Sequence, residues 1–146
     1  MRIVKQGRFR LLLPIVAFWI WTAPAALPAD LRVIANPSVK ASAVTLDDLR
    51  AIFLETRTTL PDGSRVEPVL LKAGPVHEAF ARQFLGKRDT ILEAYYRSLV
   101  FTGKALMPTA LSSEQEMLRY VARTKGAIGY VSTAAGVEGV KVLAVR

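Results

Sequence analysis

An α/β domain is what this sequence predicts: a mixed, mostly parallel sheet with helices on both faces. Three observations carry the expectation. Short apolar or β-branched runs alternate along the chain with stretches whose apolar residues recur at helical spacing. The run Val69-Leu70-Leu71 shows no polar alternation, as a strand covered on both faces should not. Two further apolar runs, residues 127–132 and 140–145, lie close enough for an antiparallel pair, which makes the sheet mixed.

The first 29 residues stand apart from the fold. Arg2, Lys5, Arg8 and Arg10 form a basic opening, residues 11–21 are apolar and uncharged, and small residues and prolines follow in TAPAALPAD. This is the layout of a secretory signal peptide, with cleavage expected after Ala25 or Ala29. An uncleaved anchor is the alternative, since the uncharged run to Ala29 approaches the ~20 residues that span a bilayer. Pro24 and Pro28 break its second half, so export and a periplasmic location are expected. Residues 30–146 then form one domain.

Composition narrows the function. With 51% apolar residues the chain can bury an ordinary core. It has no cysteine, which excludes disulfides, thiol catalysis and a lipid-modified N-terminal cysteine. The formal charge is +8, from 20 basic and 12 acidic residues. Without the leader's four basic residues it is 16 against 12, or +4, with both signs interspersed. That is weak steering of anions and not the footprint of a nucleic-acid binder.

In order, residues 31–35 (LRVIA) read as a strand stopped by Asn36-Pro37, and residues 39–44 as an extended connection. Thr45-x-x-Asp48 opens a first helix as a capping box, with Asp47 and Asp48 placed as partners of the helix dipole. Leu46, Leu49, Ile52 and Phe53 form its apolar stripe. Pro61-Asp62-Gly63-Ser64 is a turn. Residues 66–71 are the second strand, and Lys72-Ala73-Gly74-Pro75 turns the chain into a second helix, with proline at its first position. Val76, Ala79, Phe80 and Phe84 line that helix's inner face, Glu78 and Arg82 pair outside, and Gly86 ends it. Asp89 is expected to cap a third helix to about residue 100, buried through Leu92, Tyr95, Tyr96 and Leu99. Ser113-x-x-Glu116 caps a fourth, which faces inward through Met117, Leu118 and Val121 and closes at Gly126.

Four segments now stand in a fixed order: VIANPSVKASAVTLDDLRAIFLETRTTLPDGS, VEPVLLKAGPVHEAFARQFL, LVFTGKALMP and TKGAIGYVS. Together they resemble one lobe of the phosphate-binding periplasmic proteins of ABC importers, and more closely the short stand-alone exported relatives of that lobe. The resemblance implies a single lobe of a type II periplasmic-binding-protein-like fold and a non-catalytic, solute-binding role. In full-length relatives two lobes close on the ligand, and an arginine with a Ser-Gly-Thr turn at a helix start holds the phosphate. The matching positions here are Gly74, Pro75, Val76 and His77, which lack both hydroxyls, and Pro75 removes a backbone donor. Lys72 stands near the family's arginine without its bidentate fork. Leu60 replaces a tryptophan common after the first helix. The residues left for an anion are Lys72, Gly74, Val76 and His77.

Other side chains have plain structural readings. His77, the only histidine, is expected as a surface or half-buried first-turn residue, and one histidine without cysteine makes a transition-metal site improbable. No cofactor is implied. Lys72, Arg82, Lys87, Arg88 and Lys104 read as a solvated face rather than a basic rim, and Tyr95 and Tyr96 as core rather than a stacking platform. Lys125-Gly126 lacks a phosphate-loop frame and is a helix stop. No G-x-S-x-G elbow marks a nucleophile, so a hydrolase is a distant reading. The expected function is a non-catalytic, exported binding or interaction module of the cell envelope, with a protein partner or a second copy of itself. The alternative is a receptor for phosphate or another small oxyanion linked to ABC transport.

Overall fold

The computed structural model describes residues 30–146, so the expected signal segment lies outside the described residues. Six strands and four helices follow as β1 (Leu31–Ala35), β2 (Ala43–Val44), α1 (Leu46–Phe53), β3 (Glu67–Leu71), α2 (Pro75–Gln83), α3 (Asp89–Phe101), β4 (Thr109–Leu111), α4 (Glu114–Arg123), β5 (Ala127–Ser132) and β6 (Lys141–Val145). The strands form one sheet in the order β2-β6-β1-β5-β3-β4. β3 runs parallel to both β4 and β5, and β2 parallel to β6. β1 is antiparallel to both its neighbours, β5 and β6. The sheet is therefore mixed and mostly parallel, as expected.

The expected antiparallel pairing of the two C-terminal strands does not occur. β1 lies between β5 and β6 and pairs with both, Ile34 opposite Gly129 on one side and Val142 on the other. Residues 133–140 carry the chain across β1, so proximity in sequence did not set the partner. β2 falls within the expected extended connection, residues 39–44, and β4 in a stretch where the sequence predicts no strand. They have two and three residues at the sheet's two edges. Strands that short are defined by a partner's hydrogen bonds and leave no alternating pattern to read.

Alternate residues of β5 show how the faces are covered. Gly129 meets α4: a side chain there would lie 2.4 Å from the Met117 sulfur and 3.4 Å from Val121 Cγ2. Tyr130 points the other way, onto α1 and α2. Its ring stacks on Phe80 at 3.7 Å between centroids and 4° between planes, and Phe53 meets Phe80 edge-on at 4.8 Å. Phe53, Phe80 and Tyr130 are fully buried and form the centre of this face, with Leu60 also buried beneath the turn that follows α1. α3 packs outside α1 and α2. Tyr95 donates its hydroxyl to the Leu54 carbonyl at 2.7 Å and Tyr96 donates to that of Phe53, so both tyrosines tie α3 to the end of α1. Burial and the nearby Glu55 charge push the Tyr96 phenol well up.

The helix ends follow the capping chemistry with one exception. Thr45 Oγ1 accepts from the Asp48 amide at 3.0 Å, and Ser113 Oγ from that of Glu116 at 3.2 Å. Asp48 also binds Arg57 at 2.5 Å. α3 is the exception: Arg88 holds the cap position without a side-chain bond, and Asp89 lies one residue inside. Glu78 and Arg82 make no ion pair. Asn36 does more than end β1. Its amide donates to the Val121 and Ala122 carbonyls at 2.8 and 3.1 Å, stitching the end of α4 to the sheet.

Glu55 and Gly126 are the two backbone positions where residue choice matters most. Glu55 closes α1 with φ of 58°, a left-handed conformation that favours glycine. Its amide donates to Ile52 O at 3.1 Å and that of Thr56 to Ala51 O at 2.9 Å. Burial first, and the Glu67 charge second, hold its carboxyl above the usual range. A carboxyl raised in the folded state supports folding while protonated, and that support is lost as pH rises through its folded value. Glu55→Gly is therefore expected to raise the melting temperature, by relief of about 1 kcal/mol of backbone strain. The rise should be larger at pH 7 than at pH 4, because only at pH 7 does the wild type also carry the charge. At Gly126, φ is 76° and a β-carbon would lie 2.6 Å from the Arg65 carbonyl oxygen. Gly126→Ala should cost about 2 kcal/mol or more, read by denaturant unfolding.

Candidate functional site

The carboxyl end of β3 and the start of α2 meet at the turn of residues 72–75. Val69, Leu70 and Leu71 are buried, while Lys72 is exposed. Gly74 takes φ of 106°, which lets the chain reverse directly into α2. Pro75 is the first helical residue, and Gly74 offers no side-chain cap. The first helical bond runs from the Glu78 amide to the Gly74 carbonyl at 3.0 Å. With Pro75 lacking an N–H, the donors α2 can offer ahead of that bond are the amides of Val76 and His77.

His77 corrects the sequence expectation. It is 4% exposed, and both ring nitrogens are engaged. Nδ1 lies 2.5 Å from the Tyr130 hydroxyl, and Nε2 lies 2.8 Å from Asp89 Oδ1. The Tyr130 oxygen also accepts from the Leu71 amide at 3.0 Å. A phenol has one proton to give, and here Nδ1 is its acceptor. Nε2 then carries the ring proton and donates it to Asp89. Burial pushes the Tyr130 phenol well up, aided by the Asp89 charge and opposed by the Leu71 hydrogen bond, so its proton stays in place. This accounts for Asp89: its carboxylate holds His77 instead of capping α3.

Leu71, His77 and Asp89 line one side of a cavity of about 210 Å³. Leu70, Leu92, Tyr96, Met107 and Pro108 supply apolar lining, and Lys72, Asp89 and Glu93 supply charge. Of the four residues expected to hold an anion, Lys72 and His77 reach this cavity, and Gly74 and Val76 do not. Val76 packs against the core instead. Arg82, Lys87, Arg88 and Lys104 do not line it, and Lys87 Nζ sits 5.8 Å over the Tyr95 ring. The cavity thus faces two carboxylates with one lysine.

An Asp–His pair is two members of a nucleophile-activating relay. The third group here is Tyr130, fully buried and donating inward, so the pair faces no open hydroxyl. Among the described residues no three or more His, Asp or Glu side chains gather to hold a metal ion.

Sequence reasoning missed Tyr130 and Asp89 as members of this cluster. The available signal was a tyrosine inside the apolar run AIGYVS, whose buried hydroxyl required a partner. Tyr130→Phe should cost about 1–3 kcal/mol, since it strands the Leu71 amide and His77 Nδ1. Combined with His77→Leu it should cost less than the sum of the single changes, a coupling measurable by a double-mutant cycle in urea.

No protein-family model matches the chain, and no curated protein matches it in sequence. Solved structures do match. An ABC-type phosphate transport receptor from Vibrio cholerae aligns with a TM-score of 0.59 at 16% identity, over 80% of this chain and 46% of the receptor. A putative phosphate ABC transporter substrate-binding protein with bound phosphate, from Clostridium perfringens, aligns with a TM-score of 0.62 at 16% identity, over 80% and 44%. PstS from Borrelia burgdorferi gives 0.61 at 14% identity, over 80% and 47%. The chain spans less than half the length of each. It carries the fold of a phosphate-receptor lobe, as the order of its four sequence segments implied.

Proposed function

We propose that this protein is a non-catalytic, exported binding and interaction module that has the receptor-lobe fold without the receptor's grip on an oxyanion. One observation carries the reading: the polar groups at the start of α2 are turned inward. Both His77 nitrogens are committed, to Tyr130 and Asp89, and Pro75 has no amide to offer. What remains for an anion is two backbone amides and Lys72, which shares the cavity with the carboxylates of Asp89 and Glu93. Each charge-assisted hydrogen bond lost is worth roughly 1.5–3 kcal/mol, so two or three missing donors weaken binding by several powers of ten. The cavity volume of about 210 Å³ also falls below the ~300–1,000 Å³ of small-molecule sites. Export rests on the layout of the N-terminal segment. No helix among the described residues is long and apolar enough to cross a membrane.

The second reading is a receptor for phosphate or another small oxyanion. It is favoured by structural neighbours named for phosphate transport and by Lys72 beside the free amides of α2. Calorimetry and thermal shift with phosphate, sulfate and small carboxylates separate the two. A receptor with micromolar affinity would gain about 4 kcal/mol of stability at millimolar ligand. The expected result is no heat and no shift, and tight one-to-one phosphate binding overturns the first reading.

A further inference from the structure

We propose that the cavity at the end of β3 takes a free α-amino acid with an apolar side chain, its carboxylate on Lys72 and its ammonium on Asp89. The proposal rests on the reading above, a binding module without a grip on oxyanions, and names the ligand class of that site. Charge decides the class. Lys72, Asp89 and Glu93 are the charged side chains that line the cavity. Glu93 already has a cation, since Arg97 pairs with it at 3.0 Å. Asp89 has only a neutral partner: His77 accepts from Tyr130 at Nδ1 and donates its one ring proton to Asp89 at 2.8 Å. Among the described residues Lys72 takes part in no ion pair. Lys87 and Arg88 precede Asp89 in sequence but do not line the cavity. One uncompensated cation and one uncompensated carboxylate therefore share one small space. A bare anion meets the carboxylate and a bare cation meets the lysine, whereas a molecule carrying both signs gives each a partner.

The rest of the lining selects the body of the ligand. Leu70, Leu92, Met107 and Pro108 are apolar, and Tyr96 has given its hydroxyl proton to the Phe53 carbonyl. No serine, threonine, asparagine or glutamine lines the cavity. A sugar or polyol would lose water there and find no side-chain hydroxyl or amide in exchange, while an alkyl or thioether chain loses only unfavourable hydration. Size agrees. The volume of about 210 Å³ equals roughly seven waters at ~30 Å³ each, and bonded atoms pack closer than waters. That suits leucine or methionine and falls short of a drug-sized molecule. Asp89 can serve both partners. Its Oδ1 takes the His77 proton, which fixes the side chain, and a carboxylate keeps a second oxygen for a ligand's ammonium. The side chain is 39% exposed, so that oxygen is reachable. The buried His77–Tyr130 pair thereby becomes the support of a recognition group rather than an end in itself.

Calorimetric titration of the purified protein with L-leucine and L-methionine tests the assignment, alongside isocaproate and isoamylamine, which are leucine without its ammonium and without its carboxylate. Saturable one-to-one binding of at least one amino acid is expected, with each single-charge analogue weaker by about tenfold or more for the charged contact it lacks. Lys72→Met should weaken leucine about tenfold and leave isoamylamine no weaker. Asp89→Asn keeps an oxygen for His77 and removes the charge; it should weaken leucine about tenfold and leave isocaproate no weaker. The melting temperature of each variant without ligand confirms folding, and Lys72→Met, at an exposed position, carries the test if Asp89→Asn is unstable. Absence of saturable binding of both amino acids up to about 10 mM overturns the proposal. So does binding that isocaproate or isoamylamine matches, or that Lys72→Met leaves unchanged. Phosphate titration of the same samples reads the underlying function separately. Silence to amino acids and to phosphate removes only the ligand class, whereas tight phosphate binding removes the reading on which it rests.

Discussion

The hydroxyl of Tyr130 is the point on which the cleft side of this protein depends. It lies inside the core, where a polar group without partners costs ~1–3 kcal/mol, so its surroundings must supply a donor and an acceptor. They come from the last residue of β3 and the first turn of α2, as the Leu71 amide and His77 Nδ1. His77 in turn needs an acceptor on its far side, and Asp89 at the start of α3 provides it. One buried oxygen thus sets the relative positions of a strand end and two helix starts. The aromatic stack beside it, Tyr130 on Phe80 against Phe53, joins β5 to α2 and α1 by packing.

That arrangement uses for cohesion the groups that would otherwise serve recognition. The carboxyl end of a strand beside a helix start is the usual place for a ligand in open α/β sheets, because amides and polar side chains converge there. Here the histidine in the first turn points its ring into the core, and the position before it is an apolar residue packed on that core. A glycine and a proline occupy the turn itself. The only charge-bearing group left at the mouth from this turn is Lys72, and Asp89 and Glu93 oppose it from α3. The field at the helix start is therefore mixed, with little net pull on an anion.

Much of this fold was legible in the sequence because it rests on local signals. Thr45 and Ser113 announced their helices through short-range capping bonds, and both bonds exist. The uninterrupted Val69-Leu70-Leu71 run announced a strand covered on both faces, and it is buried on both. What failed was non-local. Nothing within residues 127–145 says that β1, nearly a hundred positions earlier, inserts between β5 and β6, because strand order follows from which apolar faces must be covered. The site was half legible for the same reason. Lys72 and His77 could be placed at a turn by their neighbours in sequence. The partner that pulls His77 inward is 53 positions away on another strand, and the acceptor that completes it looked like a helix cap.

The opposite end of the sheet meets the same requirement with a different buried side chain. Asn36 ends β1 there, and its amide reaches the last carbonyls of α4, which the helix itself cannot satisfy. A helix end and a strand end are again joined through one polar side chain. Both ends of the sheet therefore meet one requirement, that buried polar groups be paired. They differ in what the pairing leaves behind. At Asn36 it leaves the side chain buried and outside the neighbouring cavity lined by Ser38, Glu67 and Gly126. At Tyr130 it leaves a cavity lined by His77 and Asp89, already bonded to each other, and by the apolar Met107. The polar side of that cavity sets Lys72 opposite Asp89 and Glu93. An anion entering it meets two carboxylates for one cation, so the pairing that stabilises this end of the sheet also opposes the ligand such a helix start would otherwise attract.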